Sequence, residues 1–64
     1  MSLRQLCNAH DMTMKDVSEK TGISLDYLSK LNLRKKDNPT IDKLELISSA
    51  TGATIDEVIK AIRG

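Results

Sequence analysis

Lys30, Arg34, Lys35 and Lys36 fall within seven consecutive residues that contain no acid. Cations at that density can displace condensed counterions from the phosphates of a polyanion, so the chemistry they offer is electrostatic binding. Just before them, Ser24, Leu25, Asp26, Ser29 and Lys30 supply hydroxyl, methyl, carboxylate and ammonium groups, the kinds of group that meet base edges in duplex DNA. Bond-making chemistry has less to draw on. The single Cys and single His, Cys7 and His10, stand three residues apart and could form a pair, yet no third group orients them. No metal quartet is spaced for binding, so no enzyme activity, cofactor or metal ion is expected.

Composition narrows the setting. The chain has 64 residues, of which 39% are hydrophobic, enough for one domain with a small core that a partner subunit would help to stabilise. With one Cys, no Trp, no Phe and a single Tyr, there is no disulfide framework and no aromatic platform for stacking single-stranded bases. Cys7 is expected as a small buried residue in a reducing cytoplasm. No run of apolar residues is long enough to span a membrane, and the N-terminus lacks the layout of a secretion signal, so the expected setting is cytoplasmic. Net charge is only +1, but its distribution is uneven. Residues 1–37 carry seven bases and five acids, whereas residues 38–64 carry three bases and four acids.

The elements that must position these groups are legible from their caps. Ser or Thr repeatedly precedes an apolar-periodic segment, with a suitable residue three positions on. Ser2 with Gln5 opens a first helix bearing Leu3, Leu6 and Cys7, ending near His10 and Asp11. Thr13 with Asp16 opens a second, which Gly22 ends by accepting a left-handed backbone. Ser24 caps a third helix with Leu28 and Leu31 facing inward. After a polar connector, Thr40 caps a fourth with Ile41, Leu44, Ile47 and Ala50 on one stripe, closed by Gly52. Thr54 with Glu57 opens a fifth, bearing Ile55, Val58, Ile59 and Ile62. No segment alternates as a strand would, so the fold class is all-α, five helices in a single domain over residues 1–64. No linker, internal repeat or low-complexity segment is expected.

Two helices joined by a short turn containing Gly cross steeply, and the second projects from the first. If Leu28 and Leu31 bury one side of the third helix, then Ser24, Leu25, Asp26, Ser29 and Lys30 occupy the free side. Such a helix fits the major groove and can offer its first turns to base edges.

At these residues the sequence resembles the Cro/C1-type helix-turn-helix family, also called lambda-repressor-like or XRE-like, over nearly the whole chain. The resemblance rests on LRQL in the first helix, MTMKDVSEKTGIS through the turn, NPTIDKLELISSATGATIDEVI in the last two helices, and the intervals between them. It implies a five-helix lambda-repressor-like fold with the helix-turn-helix at helices two and three. The implied activity is sequence-specific binding of double-stranded DNA, usually as a dimer, in repression or related transcriptional control. By position, Leu25, Asp26 and Lys30, with Ser29 on the same face, fall at base-contacting places, and Ser24 falls near a phosphate. Thr13 and Met14 open the helix that commonly touches the DNA backbone, and Lys35, Lys36 and Asn38 fall in the loop that typically follows it, with Arg34 beside them. The fifth helix is where many members dimerise.

The sequence departs from the family pattern in three places. Met14 stands where Gln is common and lacks its amide, leaving backbone N–H groups at the helix start to hold a phosphate. Asn32 and Arg34 replace Glu and Gly. Asp26 puts a carboxylate toward the groove, where it could accept from a cytosine amine or simply complement the helix dipole.

With roughly four to six phosphates neutralised per domain, affinity should fall with salt at a log-log slope of about −4 to −5. The fifth helix is apolar on more than one face, more than one inward stripe requires, which suggests a two-fold homodimer with Ile59 and Ile62 near its axis. The competing expectation is a protein-interaction module on the same fold, an antitoxin, anti-repressor or accessory factor using Leu25, Asp26 and Tyr27 against a protein partner.

Overall fold

Five Ser or Thr residues accept a hydrogen bond from the backbone N–H three positions on in the computed structural model, which describes residues 2–33 and 39–63. The acceptors are Ser2, Thr13, Ser24, Thr40 and Thr54, the donors Gln5, Asp16, Tyr27, Lys43 and Glu57, at 3.1–3.3 Å. Gln5, Asp16 and Glu57 reciprocate by accepting from the N–H of Ser2, Thr13 and Thr54 at 2.8–3.0 Å. Each box satisfies donors that the first turn of a helix cannot pair internally, so helix starts are set by local chemistry. They open α1 (Leu3–Ala9), α2 (Met14–Thr21), α3 (Leu25–Asn32), α4 (Ile41–Thr51) and α5 (Ile55–Arg63). The described residues contain no strand, as expected of an all-α chain.

Left-handed residues follow α1, α2 and α4. Gly22 and Gly52, at φ 78° and 85°, close α2 and α4, and each donates its N–H to the carbonyl four residues back. Asp11 does the same service after α1 at φ 58°, where Asp is among the few side chains tolerated.

The turns after α2 and α4 are the same device. Ser18 donates to the Ile23 carbonyl at 2.6 Å, while Thr21 donates to Val17 at 2.7 Å and accepts from the Ile23 N–H at 3.1 Å. Ser48, Thr51, Ala53 and Ile47 repeat each of these bonds around Gly52. The likeness extends into the helices that follow, where Asp26–Lys30 and Asp56–Lys60 form matching i,i+4 ion pairs. The expectation of no internal repeat is therefore corrected: the helix-turn-helix recurs. Ser, Thr and Gly recur at an offset of 30 residues, and the core positions recur with them in kind though not in size, Val17 with Ile47, Ile23 with Ala53, Leu28 with Val58 and Leu31 with Ala61.

The core joins all five helices. Leu3, Leu6 and Cys7 of α1 meet Met14 and Val17 of α2, Leu28 and Leu31 of α3, Ile47 of α4, and Val58, Ala61 and Ile62 of α5, with Ile23 and Ala53 from the two turns. α2 lies between α3 and α4, and α1 rests on α5, α2 and α3. Full burial of each large aliphatic side chain contributes about 1.5–3 kcal/mol. Leu28 and Leu31 are both 0% exposed, so α3 is pinned by the face expected to point inward. The inward stripe of α4 differs from expectation: Ile41 is 70% exposed, and the buried positions are Ile47 and Thr51. Ile41 is the first helical residue after Thr40, at the open end of α4, where no neighbouring helix covers it.

Candidate nucleic-acid interface

Because α3 is held from beneath, its opposite side is open. Ser24, Leu25, Asp26 and Lys30 are exposed and Ser29 is half-buried, so the five residues expected on the free side share one accessible face. Ser24 caps the helix from that face through its hydroxyl. The Asp26 carboxylate and the Lys30 ammonium, one turn apart, meet at 3.1 Å. In the free protein these two expected base contacts are partners of each other.

Two neighbours that sequence reading missed frame this face. Lys43 of α4 places its Nζ 4.9 Å from the centroid of the Tyr27 ring, bringing a cation from another helix beside the start of α3. A signal was available: Lys43 lies in the first turn of α4, where the helix dipole disfavours a cation, so its type is not explained by helix formation. At the other end of α3, the Asn32 side chain accepts from the Arg4 N–H at 2.9 Å and so caps α1 from across the molecule. No local pattern announces that bond, because the partners lie 28 residues apart.

The start of α2 carries a mixed potential. Thr13 and Asp16 engage one another's backbone N–H groups, which leaves the N–H groups of Met14 and Lys15 between them to face outward. Backbone and side-chain hydrogen bonds from Thr13 hold the Asp16 carboxyl below its ordinary range, so it is an anion at the end of the helix that would meet a phosphate. Met14 is 8% exposed and its side chain belongs to the core, in keeping with an expected phosphate contact through the backbone N–H groups of this helix start.

On α5, Ile62 is 4% exposed and closes the monomer's own core. The helix that carries it packs on α1 and α4. Ile59 is half-buried, and Ile55, four residues earlier on the same face, is 40% exposed. Arg34, Lys35, Lys36 and Asn38, all expected at phosphates, lie outside the described residues.

Other chemistry finds no support in the geometry. Cys7 is 0% exposed, and burial pushes its thiol up from the ordinary range, so it is neutral and shielded from reagents. Among the described residues no cluster of three or more His, Cys, Asp or Glu could hold a metal ion, and no helix is long and apolar enough to cross a membrane.

Comparison with known proteins agrees with this geometry. The model of the Cro/C1-type HTH DNA-binding domain matches residues 2–63. The HTH-type transcriptional regulator DdrOP3 of Deinococcus deserti is 30% identical over 60 residues, which are 94% of this chain and 46% of that protein. The chain thus spans about half the length of this curated relative. No solved structure matches it. With the helix-turn-helix turned at Gly22, one face of α3 open and the family pattern running from end to end of the described helices, the protein belongs to the Cro/C1-type helix-turn-helix family, a non-enzymatic family of DNA-binding domains.

Proposed function

We propose that this chain is the DNA-reading domain of a transcriptional regulator, a repressor, that binds operator DNA at the nucleoid as a homodimer. One observation carries the reading: α3 is anchored by two fully buried leucines while the side bearing Leu25, Asp26, Ser29 and Lys30 stays accessible. That face addresses base edges in the major groove, with Ser24 and the helix start at Thr13 and the Met14 N–H toward the phosphates. Lys43 adds a cation on one side, and Arg34, Lys35, Lys36 and Asn38 supply the rest of the backbone contact. The dimer forms through α5, centred on Ile59 with Ile55 in place of the buried Ile62. It presents two copies of α3 roughly 34 Å apart, to match successive major grooves. The name of the relative from Deinococcus deserti, a transcriptional regulator, supports the regulatory half of this reading.

Fluorescence anisotropy against a random-site duplex pool at several salt concentrations tests it. Selection of a common half-site, with a log-log slope of about −4 to −5 per domain, is expected. Absence of binding to every duplex at low salt would refute it. Sedimentation at binding concentrations tests the dimer, which a monomeric bound species would exclude.

A second reading, a module that binds a protein partner, rests on the exposure of Leu25, Leu33, Ile41 and Leu46. Isolated exposed apolar side chains are common, so they are weaker support than the open α3 face. Retained duplex selection after Leu33→Ser and Ile41→Ser would separate those residues from the DNA-reading face.

A further inference from the structure

Asp26 and Lys30 lie one turn apart on the open face of α3, with Oδ2 and Nζ at 3.1 Å and side chains 78% and 48% exposed. The ammonium has three N–H donors, and the one directed at the Asp26 carboxylate is withheld from a phosphate or a guanine edge for as long as the pair lasts. In water the pair is weak, so it opens readily. Once Lys30 turns toward DNA, Asp26 remains as an anion close to the phosphates, and its repulsion acts on every duplex alike.

Resting on the DNA-binding reading above, we propose that Asp26 is a positioning residue that sets affinity and not sequence. It holds Lys30 in the free protein as an internal stand-in for DNA, and binding exchanges that partner. Asp26 lowers the gain of this exchange on every duplex by a similar modest factor, through its repulsion of the phosphates, while the bases still choose among Leu25, Ser29 and the released Lys30. The molecule contains its own comparison. Asp56 and Lys60 make the matching pair at 3.5 Å, at the equivalent places after Gly52, on α5, which packs on α1 and α4.

The experiment measures anisotropy for the unsubstituted chain, Asp26→Asn and Asp56→Asn. The probes are one duplex selected from the random pool and a panel of its single-base-pair variants. Asp26→Asn is expected to tighten binding about 3- to 10-fold on every panel member, leaving the order of preference intact. Asp56→Asn is expected to change nothing. Loss of affinity by Asp26→Asn on the selected duplex alone would make Asp26 a base reader and overturn the proposal. Equal tightening by Asp56→Asn would reduce the effect to net charge and overturn it as well, as would no change in either variant. If the unsubstituted chain selects no duplex, the DNA-binding reading itself fails, a result visible before any variant is compared. Circular dichroism of each variant confirms that α3 is intact.

Discussion

Lys43 and Tyr27 face each other across the gap between α4 and α3, the ammonium 4.9 Å from the ring centroid. The contact does two things at once. It ties α4 to the helix that carries the proposed DNA-reading face, and it fixes a positive charge there without neutralising it, since a ring face attracts a cation but has no net charge. Asp26, the residue before Tyr27, instead holds its lysine with a full negative charge. Adjacent residues of α3 thus treat two lysines in opposite ways.

Lys43→Met is expected to weaken binding on all duplexes alike and to lower the salt slope by about 1, as removal of one phosphate contact does. Stability should change little, by about 0.5–1 kcal/mol, the range of a cation held over a ring at an exposed site. Anisotropy across salt concentrations checks the first point and urea unfolding the second. A sequence-selective loss would instead place Lys43 at a base.

The two left-handed glycines are expected to respond alike. A Cβ on Gly22 would meet nothing within 4 Å, and one on Gly52 only the His10 Nδ1 at 3.9 Å, an ordinary contact. Substitution by Ala therefore carries the backbone penalty alone, about 1–2 kcal/mol at either site. Matched losses in urea midpoint would support this. A much larger loss at Gly22 would point to packing strain at the first turn.

Acid should destabilise the fold through its capping boxes. Hydrogen bonds from the Thr13 and Thr54 backbone and hydroxyl groups lower the Asp16 and Glu57 carboxyls from their ordinary values of 3.8 and 4.5. A carboxyl whose folded value is depressed contributes stability above its unfolded value and loses it as pH falls through the folded one. Thermal melts should therefore drop as pH goes from about 5 to 3. The Asp16→Asn, Glu57→Gln double variant should show a flatter profile across that window, and an unchanged profile would assign acid sensitivity elsewhere.

Asn32→Ala removes the acceptor for the Arg4 N–H and should reduce stability by about 0.5–2 kcal/mol, the range for a helix cap. Hydrogen exchange offers the sharper readout. Faster exchange of the Arg4 amide, with α4 and α5 unaffected, is the expected result. Uniform acceleration would mean that the variant acts on global unfolding instead.

The sequence by itself determined where the helices begin and where α2 and α4 end, because those caps join residues a few positions apart. Ser2, Thr13, Ser24, Thr40, Thr54, Gly22 and Gly52 were all readable in that way. The order and spacing of those elements also carried the family, and with it the expectation of DNA binding. The Asp26–Lys30 pair and the repeated turn were local too, yet a search for apolar stripes passed over them. Tertiary structure alone decided which apolar residues are covered: Met14 and Ile62 lie inside, while Ile41 and Ile55, equally apolar, are at 70% and 40% exposure. It alone brought Lys43 over Tyr27 and Asn32 to Arg4. Periodicity gives the direction of a side chain around its own helix, whereas burial depends on how far the neighbouring helices extend, and that is fixed only when all five pack around one core.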